Sequence, residues 1–187
     1  MSRKNEILKV AESRVRTGGY NNVSHREIAN EIGIKSASVH YHFKTKEDLG
    51  AELAHQYTDS FLHALGEPAD MINSGENPVA RYIELFRTAL IRDKKMCLCG
   101  LLGAESDCLP DKVRFEIKRF FELNIEWVKQ SYVLLTPDDA AHAKTRAIKL
   151  ISVLEGALMM SKAMDDIELF DLATLDLDLV GSAGSAG

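Results

Sequence analysis

The stretch that most limits what this chain can fold into runs from Ser24 to Phe43. Ser24 followed three residues later by Glu27 is a capping box, in which hydroxyl and carboxylate each satisfy an amide orphaned at a helix start. The helix it opens turns Ile28, Ala29 and Ile32 inward and then meets Gly33, the residue that adopts a positive φ most cheaply. A second short helix is expected from about Ser36 to Phe43. Ala29 is small enough for the two helices to approach closely, and Ile34 and Val39 are spaced to face a core. Two short helices joined by a glycine turn have the geometry of a helix-turn-helix, whose second helix enters the DNA major groove.

With Ile34 and Val39 turned inward, Lys35, Ser36, Ser38, His40 and Tyr41 share the outer side. All are hydrogen-bonding types: Ser serves more than one base edge, and Lys suits guanine or a phosphate. Lys44 and Lys46 lie around the next helix start, where the dipole disfavours cations. A phosphate held by lysine charge and free backbone amides accounts for their placement. The overall charge of −5 hides an asymmetry. Residues 1–50 carry nine Lys/Arg against six Asp/Glu, a net +3, and the rest carries 14 against 22, a net −8. A basic head on an acidic body suits a polyanionic partner for the head.

Nearly every other segment reads at a helical period, which predicts an all-α chain. Ile7, Leu8, Ala11 and Val15 form a stripe that stops at Gly18-Gly19. Thr45 caps a longer helix with the stripe Leu49, Leu53, Tyr57, Phe61 and Leu65. Residues 66–77 read as a loop and module boundary. Asn77-Pro78 opens a helix carrying Val79, Ile83, Phe86 and Leu90. Residues 110–132 give another, and Thr136-Pro137-Asp138-Asp139 opens the last long one. Between Leu150 and Met160 eight of eleven residues are apolar, so that helix needs cover on more than one side. A second subunit packing on Leu150, Leu154, Ala157 and Leu158 would provide it, as would burial within one monomer. The C-terminal run 181–187 has the composition of a flexible linker. The charged start without an apolar core, and the lack of any apolar run of about 18–20 residues, predict a cytoplasmic chain with no membrane span.

Here a family resemblance enters. Residues 3–65 resemble the DNA-binding domain of the tetracycline-repressor (TetR) family of bacterial regulators. It is carried by Ile28-Ala29 through Gly33-Ile34, by Ala37-Ser38-Val39-His40-Tyr41-His42-Phe43, and by Lys44-Thr45-Lys46-Glu47-Asp48-Leu49. The resemblance implies a three-helix helix-turn-helix domain over 1–48, followed by a helical-bundle domain for effector binding and dimerisation over 49–180. A helix at 46–65 would connect the two. It implies a homodimeric repressor on a near-palindromic operator of duplex DNA, released by a small-molecule effector. Ser36, Ala37, Ser38, His40 and Tyr41 then lie on the recognition helix, and Ser24, Tyr41, His42 and Lys46 match phosphate-contacting positions. The family's usual Gly or Thr is replaced by Ala37 and Ser38, and His40 stands where an aromatic is common, so base preference does not transfer.

Candidates for an effector pocket are Phe86, Met96, Cys97, Phe120, Phe121, Trp127 and Met159, although Phe and Met at helical spacing are equally what a core needs. Trp127 stands apart because an indole seeks a partner for its N–H. Cys97, Cys99 and Cys108 raise a thiol-sensing alternative, with Arg92, Lys94 and Lys95 as nearby cations. Cys97 and Cys99 are two apart on an expected helix and point to different faces. His40 and His42 diverge for the same reason, and no Cys-x-x-Cys or His-x-x-x-His pair accompanies them, so no metal site and no cofactor is expected. Gly-rich phosphate loops and nucleophile elbows are absent, which argues against an enzyme. A helical protein-interaction module without DNA binding is the remaining alternative.

Overall fold

The computed structural model describes residues 2–177. The linker-like segment 181–187 lies outside the described residues, as do the last positions of the 49–180 assignment. Among the described residues all regular structure is helical, and no helix is long and apolar enough to cross a membrane. The chain forms two units: one up to Phe61 with Lys95–Phe121 added, the other Leu62–Lys94 with the chain from Glu122 on.

In the first unit, α1 (Arg3–Gly18) is capped by the Ser2 side chain, which accepts from the Asn5 amide at 3.3 Å. A 3-10 turn at Tyr20–Asn22 leads to α2 (His25–Ile32). The Ser24 hydroxyl accepts from the Glu27 amide at 3.2 Å, as the capping box requires. The reciprocal half differs: Glu27 accepts a hydrogen bond from the Ser24 hydroxyl at 2.9 Å and pairs with Arg14 at 3.0 Å. A long guanidinium nearby competes for a carboxylate that would otherwise reach back to the backbone. Gly33 is left-handed (φ 76°, ψ 35°), and the Ile34 amide donates to the Ala29 carbonyl at 2.9 Å, the six-to-one bond of a Schellman turn. α3 (Ser36–His42) and α4 (Lys46–Leu65) follow. Here the capping box is complete, with Thr45 Oγ1 accepting from the Asp48 amide at 3.0 Å and Asp48 accepting from the Thr45 amide at 3.2 Å.

This unit's core is not closed by its N-terminal helices. Ile7, Ala11, Ile28, Val39, Phe43 and Leu49 share one cluster with Leu98 and Leu102 of α7 (Leu98–Ala104) and Val113 and Ile117 of α8 (Asp111–Leu135). Tyr20 sits at the meeting point. Its backbone amide donates to Glu105 at 2.9 Å, and its ring lies against Gly50 in the core cluster that also holds Val113. A Cβ on Gly50 would come within 2.7 Å of Tyr20 Cε2 and 3.1 Å of Val113 Cγ2, so only glycine fits there.

In the second unit, residues 66–77 are not a plain loop. Pro68 at the first helical position opens α5 (Pro68–Ser74), and Gly75, left-handed at φ 82°, ends it. Seven residues, about two turns, are too few to show a periodic stripe, which is why the punctuation residues read as loop. Asn77 caps α6 (Pro78–Thr88) as expected, accepting from Val79 and Ala80 amides at 2.9 and 3.2 Å. A π-helical turn continues it over Ala89–Asp93. Thr136-Pro137 opens a 3-10 turn, Pro137–His142, with a kink at Asp139, and the long helix α9 (Ala143–Met164) starts only after it. α10 (Glu168–Thr174) follows, held by Arg87–Asp171 at 2.7 Å and by the buried Phe170.

Replacing Gly50 with Ala is expected to lower stability by about 1–3 kcal/mol, the usual cost of overpacking. The shift in denaturation midpoint measures it, and an unchanged midpoint would refute the close approach.

Candidate nucleic-acid interface

The order in which α3 buries and exposes its residues sets the candidate interface. Val39 is buried and Ile34 half-buried, which anchors the helix. Lys35, Ala37, His40 and Tyr41 are exposed, Ser36, Ser38 and His42 are half-buried, and Tyr41 reaches 84% exposure. A ring left this open takes no part in the core. Lys44 is also exposed.

Two of the expected phosphate contacts have protein partners as well. Ser24 is engaged as the α2 cap, hydroxyl and all. Lys46 places its ammonium 4.5 Å from the centre of the Tyr20 ring, a cation–π contact. Burial holds the Lys46 pKa below its ordinary value, opposed by Glu27 and Glu105. The Tyr20 ring face thus supplies, besides a phosphate, a second account of a lysine where the helix dipole disfavours one. Arg14 is spent on Asn22, Glu27 and Glu31, which ties α1 to α2.

Beneath this face lies a residue that sequence reasoning missed. His25, only 8% exposed, opens α2, and its Nε2 sits 2.8 Å from the Phe43 carbonyl. Its ring stacks on His40 with centroids 4.3 Å apart and planes within 1°. His40 Nδ1 in turn lies 3.4 Å from the Lys44 carbonyl. Fifteen residues of separation hide this pair from any local pattern. Burial pushes the His25 pKa down, with His40 adding to the shift and the Phe43 carbonyl and Asp48 opposing it.

The effector candidates fall in both units. Met96, Cys97, Phe120 and Phe121 belong to the first unit, and Phe86, Trp127 and Met159 to the second. Phe120 is fully buried against Tyr57, Phe61 and Phe121, with ring centroids 5.2–6.0 Å apart. Phe86 and Trp127 both pack on Tyr82, and the Trp127 indole donates to the Gly66 carbonyl at 2.8 Å, the partner its N–H was expected to need. Met159 is exposed. Cys97 and Cys99 are buried and in no disulfide, and Cys108 is exposed. Two of the three cations proposed to activate them are otherwise engaged, Arg92 with Asp93 and Lys95 with Ser13. Of the expected partner-facing residues, Leu150, Leu154, Ala157 and Leu158 are buried within the chain's own second unit.

The geometry agrees with what the chain is similar to. A family model described as bacterial regulatory proteins, tetR family, matches residues 7–53. A TetR transcriptional regulator from Legionella pneumophila is 32% identical, with 95% of this chain and 96% of that one superposed at a TM-score of 0.87. A regulatory protein TetR from Rhodobacter sphaeroides, 20% identical at a TM-score of 0.82 over 94% of this chain and 97% of that one, shares the fold. The HTH-type transcriptional repressor KstR2 of Mycobacterium tuberculosis is 34% identical over 85 residues, which are 46% of this chain and 41% of that protein. DhaR, an HTH-type transcriptional repressor of a Mycobacterium species, is 26% identical over 113 residues, 59% of this chain and 54% of that protein. The chain thus spans about half or less of the length of the curated relatives it matches.

The lowered His25 pKa sets an acid dependence. Below its ordinary value of 6.5 the unfolded chain binds a proton that the native one resists, so stability is present above that value and lost as pH falls. Thermal midpoints taken from pH 7.5 to 5 should fall more steeply for the native protein than for His25→Gln; parallel curves would exclude the effect.

Proposed function

The chain belongs to the TetR family of bacterial regulatory proteins, and from that premise we propose that it is a sequence-specific DNA-binding repressor. In this reading two copies bind a palindromic operator, and a small-molecule effector releases them. The observation that carries it is α3, a short helix anchored by Val39 that leaves Lys35, His40, Tyr41 and Lys44 open to solvent. Lysines at its two ends suit phosphates, and the histidine and tyrosine between them suit base edges or the backbone. Ser24, Ser36, Ala37, Ser38, His42 and Lys46 complete the proposed contact set.

Support for a dimer comes from the other side of α9. Because Leu150, Leu154, Ala157 and Leu158 are already covered, the partner is proposed to meet Ile148, Ser152, Gly156 and Met159, which follow one another at helical spacing. Ile148 and Met159 are exposed, and a Cβ on Gly156 would meet nothing within 4 Å, which leaves room for a second helix. The effector is proposed to act through the aromatic and sulfur-bearing residues named above. The thiol-sensing alternative has an accessible group at Cys108.

Duplexes selected from a random library test the reading. A palindromic winner whose affinity drops steeply with salt is expected, because each neutralised phosphate releases counterions. Ala at Lys44 or Lys46 should weaken cognate and random duplexes alike and lower the salt slope by about 1 each. Binding without salt dependence, or no enrichment at low salt, would favour the interaction module. Met159→Asp should yield monomers by light scattering with an unchanged far-ultraviolet spectrum. Leu154→Ala should instead cost about 2–5 kcal/mol of stability while still dimerising.

A further inference from the structure

We propose that His25 is a positioning residue for base recognition: it holds the His40 imidazole in one orientation and one tautomer, so that α3 presents a hydrogen-bond acceptor to an exocyclic amino group of adenine or cytosine. The inference rests on the DNA-reading assignment above and adds a specificity to it.

The chemistry follows from two carbonyl groups that can only accept. His25 Nε2 lies 2.8 Å from the Phe43 carbonyl, so Nε2 carries the hydrogen and the buried ring is anchored to the backbone just beyond α3. His40 Nδ1 lies 3.4 Å from the Lys44 carbonyl, so Nδ1 carries the hydrogen there. A neutral imidazole has one donor and one acceptor nitrogen, which leaves the Nε2 of the exposed His40 as a bare acceptor. An exposed histidine ring ordinarily turns between two broad wells about its outer torsion. Here the parallel His25 ring, 4.3 Å away, occupies one face of His40, and the Lys44 carbonyl takes one edge.

Burial keeps His25 uncharged near neutral pH, so the stacked rings do not repel as two cations. The other groups near His25, the Phe43 carbonyl and Asp48, favour its protonation and are outweighed by that burial. In the major groove the amino groups of adenine and cytosine donate, whereas guanine offers only the acceptors O6 and N7. A ring fixed in this way therefore prefers adenine or cytosine to guanine at the position it meets.

The test has two arms. Nitrogen-15 spectra of the imidazoles in the free, full-length protein near neutral pH should show His40 protonated at Nδ1 and bare at Nε2; a His40 protonated at Nε2 overturns the inference without any variant. In the second arm the native protein, His25→Gln, His25→Phe and His40→Ala bind the selected duplex and versions with each base pair replaced. The native protein should prefer adenine or cytosine over guanine at one position by about tenfold or more. His25→Gln, which can still donate to the Phe43 carbonyl but has no ring, should flatten that preference while the salt slope stays unchanged. His25→Phe, which keeps the stacked face, should restore it in part. His40→Ala should flatten the same position, which identifies it even if His25→Gln fails to fold. An undiminished preference in both His25 variants overturns the positioning role and leaves the DNA-reading assignment standing. No base preference in the native protein overturns both.

Discussion

The burial of Tyr20 is the contact on which the first unit depends. Its ring fills the space that Gly50 leaves open in the cluster shared with Val113, its backbone is gripped by Glu105, and its face carries the Lys46 ammonium. Burial, helped by Glu47, pushes the phenol pKa up to about 12, so the side chain stays a neutral wedge throughout the physiological range. Through this one residue the turn between α1 and α2 meets α4, the end of α7 and the start of α8. The placement of α3 is a consequence, because α2 and α4 are the helices on either side of it.

The parts of this arrangement legible in the sequence are those whose cause lies within three or four residues. Ser24 with Glu27, Gly33, Thr45 with Asp48 and Asn77-Pro78 each announce a helix end, because the bonds they make are local. The stripe from Leu49 to Leu65 reads as α4 for the same reason. What stayed hidden has a distant cause. The pairing of Glu27 with Arg14, the lysine over Tyr20, and the stack of His25 on His40 all join residues more than ten positions apart. α5 escaped because about two turns between Glu67 and Gly75 are too brief for a period.

The proposed recognition surface was likewise half legible. Its residue list follows from alternating burial on a short helix, which a pattern captures. Its chemistry depends on what lies underneath, which a pattern does not capture. A histidine at position 40 is an ambiguous reader by itself, both donor and acceptor. Against a fixed neighbour, as proposed above, the same histidine becomes a defined one. The α9 stripe gives the opposite lesson: apolar density correctly signalled heavy burial, but the covering surface for Leu154 and Leu158 is the chain's own.

That the first unit draws its core from two separated stretches also has a kinetic consequence. Leu98, Leu102, Val113 and Ile117 leave the ribosome long after the helices they cover, and contacts so distant in sequence slow folding. At synthesis rates of about 5–20 residues per second, some 3–13 s separate the making of Leu53 from that of Ile117. During that interval the nascent N-terminal helices carry an apolar face that the later segment has yet to cover, and the proposed DNA-facing surface is finished only when that segment arrives.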